Sequence, residues 1–418
     1  MTLDAELPAW AREDAFPEAG RGWGWVDRKG NRFECENFEA LARAISEDRQ
    51  LSVDLVWTPE APGMVIPEEV PALHPAMKTA RIRWAEWEIE EGKRQMMVFG
   101  AAFVLMLFLS GFKVERILSS GTVGLAALLL MVLGVLPWYQ GHKRLKRARQ
   151  WAAGEMAADA PALRFETWLA IQEAPVTRLL LGLMALAGLF QVIVEIRAFN
   201  LRHSLSGMAS LMALVRVVLH LGALDGGGGM TIANAGLTKH AGSYTEWWRL
   251  FTAPFLHGHW LHWLMNASAL AYLGKRVETF ARWPHLAMVF LISAWIGGEA
   301  SARFTPLKSV GASGGLMGLL GFLLVFETLH RRLVPESSRM RLLAGVVLTG
   351  VIGFMFRHFI DNAAHVGGLV AGMVYASLVF PRSSSPHRPR TTTVDVVLGG
   401  AALGLLVCAA ILACIKMA

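Results

Sequence analysis

The stretch "VGASGGLMG", Val310 to Gly318, frames Ser313 with glycines in the pattern G-x-S-x-G. In a soluble hydrolase this pattern is a strand-to-helix turn that presents a nucleophilic serine; here its flanks are almost wholly apolar. A serine hydroxyl needs a base to act as a nucleophile at neutral pH. "IDNAAHVGGLVAGMV" supplies one in His365, an ionisable side chain inside an apolar run, where such groups are costly and functional by default. A third stretch, "HGHWLHWLMN", sets His262 and Asn266 four residues apart on one helical face. Both can donate hydrogen bonds to a developing oxyanion. His257, His259 and His262 together raise a metal site, but there is no H-E-x-x-H spacing and no acid or thiolate nearby. No metal and no cofactor is therefore expected, and His257 and His259 are expected to cap the helix start and bond the loop backbone.

These side chains can meet only if the helices that carry them approach closely. Gly314 and Gly318 lie one turn apart after Ser313, with Gly321 two turns past it, and Gly368 and Gly372 follow His365 at i+3 and i+7 on the histidine's own face. Small residues let helix backbones come together in a membrane, and on their own such runs mean packing. Ser313 falls at the start of its apolar run. A helix beginning there leaves backbone N–H groups unpaired and a positive dipole end beside the serine, a suitable place for an oxyanion. No parallel-sheet pattern surrounds the motif, so it is not an α/β-hydrolase turn.

The chain has 418 residues, 54% hydrophobic and 17% charged, against about 25% charged in an average soluble domain. It begins "MTLDAELPAWAREDAF", with acids and no apolar core, so no cleavable signal peptide is expected. Cys35, Cys408 and Cys414 are too scattered for a disulfide framework or a C-x-x-C pair. Up to Glu91 there are 19 acids and 10 bases, which leaves 14 acids and 30 bases of the totals of 33 and 40 for the remainder. Those later bases sit between apolar runs and report topology; no basic groove with interleaved aromatics suggests nucleic acid.

Residues 1–92 read as a soluble α+β domain. "WGWVDRKGNRFEC" predicts two strands about a turn, "NFEALARAISEDR" a helix with Asn37 at its N-cap, and "LSVDLVW" a strand. "MKTARIRWAEWEIEEGKRQ" predicts a helix leading to the membrane. Apolar runs long enough to span about 30 Å follow near 95–112, 118–139, 178–196, 255–274, 284–300, 313–329, 342–357, 362–380 and 395–415. If each crosses once, Lys93/Arg94, the run 143–150, Lys275/Arg276, Arg331/Arg332 with Arg339/Arg341, and Arg382/Arg388/Arg390 fall on one side, the cytoplasmic one. Residues 204–224, with Arg216 and His220, are read as an interfacial helix in a long external loop.

In this order and spacing, "EWWRLFTAPFLHGHWLHWLMN", "GASGGLMGLLG" and "AHVGGLVAG" resemble the rhomboid family of intramembrane serine proteases over roughly residues 178–380. The resemblance implies a six-helix core, Ser313 as nucleophile, His365 as general base, and an oxyanion hole from His262, Asn266 and the Ser313 amide. His257, Gly311, Gly314 and Gly368 would support the site, and Trp248 and Arg249 match a structural Trp-Arg motif. The family usually has an aromatic residue four positions after the nucleophile, stacked on the catalytic histidine. Met317 stands there, and a thioether can also pack against a ring. Asp361, one turn before His365, is read as an N-cap, with a third triad member as the alternative.

The expected fold is an all-α polytopic membrane protein: a rhomboid-like six-helix core with two extra N-terminal spans, one extra C-terminal span and the small α+β domain. Its divisions are 1–92 soluble, 93–150 hairpin and basic loop, 151–380 core, and 381–418 linker and last helix. The expected activity is cleavage of transmembrane protein substrates in the lipid bilayer, in a bacterial inner membrane with a cytoplasmic N-terminus. A non-proteolytic rhomboid-like client-binding protein is the alternative; a transporter would carry paired broken helices in two repeated halves, which the sequence lacks. The topology has a direct check. A cysteine placed near Lys308 should react with an impermeant thiol reagent in intact cells and one near Arg332 should not; the opposite pattern would mean that 204–224 spans the bilayer.

Overall fold

A computed structural model of the chain describes residues 7–48, 52–61, 63–109, 111–112, 121–203, 229–239, 244, 246–306, 308–355, 357 and 360–418. The helix expected over 204–224 lies outside the described residues. The chain forms two compact units, Met1–Ile171 and Gln172–Ala418.

In the first unit, β1 (Trp23–Asp27) pairs antiparallel with β2 (Arg32–Cys35) and β3 (Val53–Trp57), in the order β2-β1-β3. The β1–β2 turn forms because the Asp27 carboxylate accepts from the amides of Lys29 and Asn31 at 2.8 and 2.9 Å. The Asn37 side chain accepts from the Ala40 amide at 2.8 Å and starts α1 (Phe38–Glu47). Leu41 and Ile45 of that helix pack with Val56, Leu73 and Met77 into a small core. These elements follow the sequence expectation.

From this core α2 (His74–Leu109) runs as one unbroken helix, so the expected division at residue 92 is not a break in the chain's local structure. Its partner is a helical rod made of α3 (Gly121–Leu129), a π-helical turn over Leu130–Val135 and α4 (Leu136–Gln150). Close approach sets the pairing. A methyl group on Gly92 would lie 2.7 Å from the Trp138 amide nitrogen, and one on Gly141 2.8 Å from the Ile89 side chain. The basic run that marks topology in the sequence is largely paired with acids: Arg144 with Glu88 at 3.0 Å, Arg149 with Glu86 at 3.1 Å and Arg147 with Asp159 at 2.6 Å. Asp159 lies on α5 (Ala153–Ile171), which belongs to this unit and not to the core that was expected to begin at residue 151. The reason is Arg164, which donates to the carbonyls of Trp10 and Arg12 at 2.9 and 2.6 Å and pairs with Glu69 at 2.6 Å.

The second unit is helical: α6 (Pro175–His203), the short α7 (Met230–Ala235) and α8 (Arg249–Thr252), α9 (Trp260–Ala281), α10 (Trp283–Phe304), α11 (Ser313–Leu329), α12 (Glu336–Met355), α13 (Asn362–Val379) and α14 (Thr393–Met417). Helices α10, α11 and α13 pack together most closely, α9 lies against α6, α10 and α11, and α14 against α10 and α6. Among the described residues, six helices across the two units are long and apolar enough to cross a membrane: α2, α6, α10, α12, α13 and α14. The protein is a multi-pass membrane protein with a small three-stranded sheet near its N-terminus.

Two acids anchor α9. Glu278 accepts from the amides of Val176 and Thr177 at 2.9 and 2.8 Å, capping α6. Glu327 of α11 receives Arg276 through two guanidinium nitrogens, at 2.5 and 3.0 Å, with both side chains fully buried. Tyr272 and Ser338 accept from two further Arg276 donors. Arg276 belongs to a cluster expected on the cytoplasmic side, and its guanidinium is turned inward to this pair. Removing one side of such a pair strands a buried charge and costs about 3–5 kcal/mol. Arg276→Met should therefore lower the unfolding temperature in detergent more than the double variant Arg276→Met/Glu327→Met, which removes both charges. Equal losses would mean that Arg276 does not depend on Glu327.

Candidate active site

Ser313 is the first residue of α11, and the segment before it is held on both sides. Ser309 and Leu237 exchange backbone hydrogen bonds of 3.0 Å each, and the Gly311 amide donates to the Ala253 carbonyl at 2.9 Å. Gly311 has φ +110°, a conformation that side chains resist. A methyl group there would also lie 2.6 Å from His262 Cε1, 2.8 Å from His262 Nε2 and 3.1 Å from Asn266 Nδ2. The two donors of α9 thus converge on the chain two residues before the serine.

The His365 helix reaches the same place by close backbone contact. A methyl group on Gly368 would fall 2.0 Å from the Gly314 carbonyl oxygen, and one on Gly372 1.9 Å from that of Gly318. Behind them, Gly318 faces the Ser293 side chain of α10, where a methyl group would lie at 2.0 Å. Ala364, the neighbour of His365, lines a small cavity together with Ser313, Gly311, Gly314 and Pro254. That cavity leaves room for about one water molecule. Among the described residues no hydrogen bond joins Ser313 Oγ to His365, and the His365 Nδ1 is buried without a partner. Catalytic hydrogen bonds often tighten only when substrate binds.

Asp361 fulfils the capping expectation: its carboxylate accepts from the Ala364 amide at 3.1 Å. His259 Nδ1 accepts from the Leu261 amide at 3.0 Å and caps α9. His257 does something else. Its Nε2 lies 3.0 Å from Asn266 Nδ2, so it orients the amide and leaves the second amide hydrogen free to point elsewhere. Met317 is buried in α11. Arg249 donates to the carbonyls of Ala233 and Gly236 at 3.0 and 2.7 Å and lies over the Trp248 ring, closing the end of α7.

A buried relay behind His257 was not anticipated. Gln191 of α6 donates to the His257 carbonyl at 2.9 Å and accepts from its amide at 3.1 Å, while also donating to Thr231 at 3.3 Å. Thr231 in turn donates its amide and hydroxyl to Glu195 at 2.8 and 2.6 Å. Gln191 and Glu195 are polar residues four apart inside an apolar run, the signal that could have found them.

Residues 244–382 match the Rhomboid domain family. The chain is similar to "Rhomboid protease GluP" of Bacillus subtilis, 32% identical over 141 residues, which is 34% of this chain and 28% of that protein. It is 33% identical over 144 residues to "RHOMBOID-like protein 6, mitochondrial" of Arabidopsis thaliana, covering 34% of this chain and 46% of that one. It is also 31% identical over 139 residues to "Inactive rhomboid protein 1" of Rattus norvegicus, covering 32% of this chain and 16% of that one. The chain thus spans less than half the length of these curated relatives. The matched region contains Ser313, His365, His262 and Asn266, and with it the chain carries a rhomboid-family domain.

Proposed function

We propose that this protein is an intramembrane serine endopeptidase that cleaves membrane-anchored proteins in or near their transmembrane segments. The observation that carries the proposal is the approach of α11 and α13 at Gly314–Gly368, one residue after Ser313 and one helical turn after His365. In this reading His365 takes the proton of Ser313 Oγ as the oxygen attacks the scissile carbonyl. His262, the free amide hydrogen of Asn266 and the Ser313 amide receive the oxyanion. The protonated histidine gives its proton to the leaving amine, and water then hydrolyses the acyl-enzyme by the same path in reverse. The positive clusters support a cytoplasmic soluble segment over residues 1–92 and a site opening to the outer face of a bacterial inner membrane.

The likeness to an inactive rhomboid protein favours a second reading, a membrane protein that binds clients without cutting them. The presence of Ser313 and His365 argues against it. The deciding experiment incubates purified protein with single-span substrates. Ser313→Ala and His365→Ala are each expected to abolish cleavage, and the double variant to be no worse than either, because residues acting as a unit are not additive. Bound substrate left uncut by the wild-type protein would leave the client-binding reading, and turnover unaffected by Ser313→Ala would remove Ser313 as nucleophile.

The oxyanion donors behave differently. Losing one typically costs about 100- to 1000-fold in turnover. Since the Ser313 amide and one side chain remain, Asn266→Ala and His262→Ala should keep measurable activity, with kcat lowered and KM nearly constant. A raised KM with unchanged kcat would make these residues a substrate-docking surface.

A further inference from the structure

Asp361 does more than a cap requires. Asparagine caps a helix as well as aspartate does, yet here a carboxylate is matched by a buried lysine from a distant part of the chain. Lys239 Nζ lies 3.7 Å from the Asp361 carboxylate, with the two side chains 1% and 12% exposed. The Lys239 ammonium also donates to Ser301 Oγ and to the Thr305 carbonyl at 3.3 Å, and the Ser301 hydroxyl donates to Asp361. Burial pushes the Lys239 ammonium below its ordinary range, and the Asp361 carboxylate is what opposes that shift. A buried ion pair adds little stability over apolar residues of similar size, so its stabilising effect alone does not account for it.

The positions of the two ends say which geometry. Asp361 stands four residues before His365, whose amide donates to the Asp361 carbonyl at 3.2 Å. Lys239 stands two residues after Leu237, which is doubly bonded to Ser309, four residues before Ser313. Ser301 lies near the end of α10, between them. The ion pair therefore ties the strut beneath the serine to the first turn of the histidine helix. We propose that Lys239, Asp361 and Ser301 form a positioning clamp that sets the depth of His365 relative to Ser313. None of the three touches substrate; they act through the two helix starts. This rests on the dyad reading above.

The test uses the purified full chain in detergent, a fluorophosphonate that labels an activated serine, and a single-span substrate. The decisive variant is Lys239→Met/Asp361→Asn, which removes both charges and keeps the cap. Displacement of a catalytic group by about 1 Å costs on the order of 100-fold. The double variant should therefore label and turn over about 10- to 100-fold more slowly, with KM within about twofold and its thermal unfolding still cooperative. Lys239→Met alone should be slower still, because it strands the Asp361 carboxylate. Lys239→Arg, which restores the charge, should recover most of the rate. A folded double variant with wild-type labelling and kcat would overturn the clamp, as would a loss of stability with kcat per labelled enzyme unchanged. Failure of the dyad reading looks different: wild-type protein would not label, or Ser313→Ala would still cleave.

Discussion

The missing side chains of Gly368 and Gly372 are the constraint on which the second unit depends. With a methyl group at either position, a carbon would sit about 2 Å from a carbonyl oxygen of α11, well inside any real contact. Two membrane helices cannot come this close unless the residues between them are small. In the proposed dyad that closeness is what lets His365 serve Ser313, which stands at a helix start where backbone donors are unpaired.

The support is polar and buried. On one side Glu195, Thr231, Gln191 and His257 hand hydrogen bonds along to Asn266. On the other, Lys239, Ser301 and Asp361 link the segment before Ser313 to the start of α13. At the far end of the bundle the Arg276–Glu327 pair joins α9 to α11. Partly satisfied polar groups in a low-dielectric interior are expensive, so networks of this kind specify one arrangement over its neighbours. The small cavity beside Ser313 is lined by Pro254, Gly311, Gly314 and Ala364.

Local signals in the sequence translate directly into this structure. The Asn37 cap, the Asp27 turn, the strands of the first unit and the helix start at Ser313 follow from residue types at fixed spacing. Gly314, Gly318, Gly368 and Gly372 announced their helix contact because glycine has few other reasons to recur at that spacing. What the sequence left hidden is pairing between residues far apart. Arg276 looks the same as Lys275 beside it until Glu327 is found opposite, 51 residues later. Arg144 and Arg149 read as a positive-inside signal although α2 supplies their acids. Asp361 was legible as a cap, but Lys239 lies in a segment with no periodic pattern, and its partner is set by tertiary contact alone.

In the proposed dyad, close approach of α11 and α13 is what activates Ser313. The most direct measurement is the rate of fluorophosphonate labelling in Gly368→Ala, with Gly404→Ala on α14 as control, since a methyl group at Gly404 meets nothing within 4 Å. Separating the two helices should lower the labelling rate of Gly368→Ala by about 100-fold or more, while Gly404→Ala labels as the wild type does. Wild-type labelling by a folded Gly368→Ala protein would contradict the account.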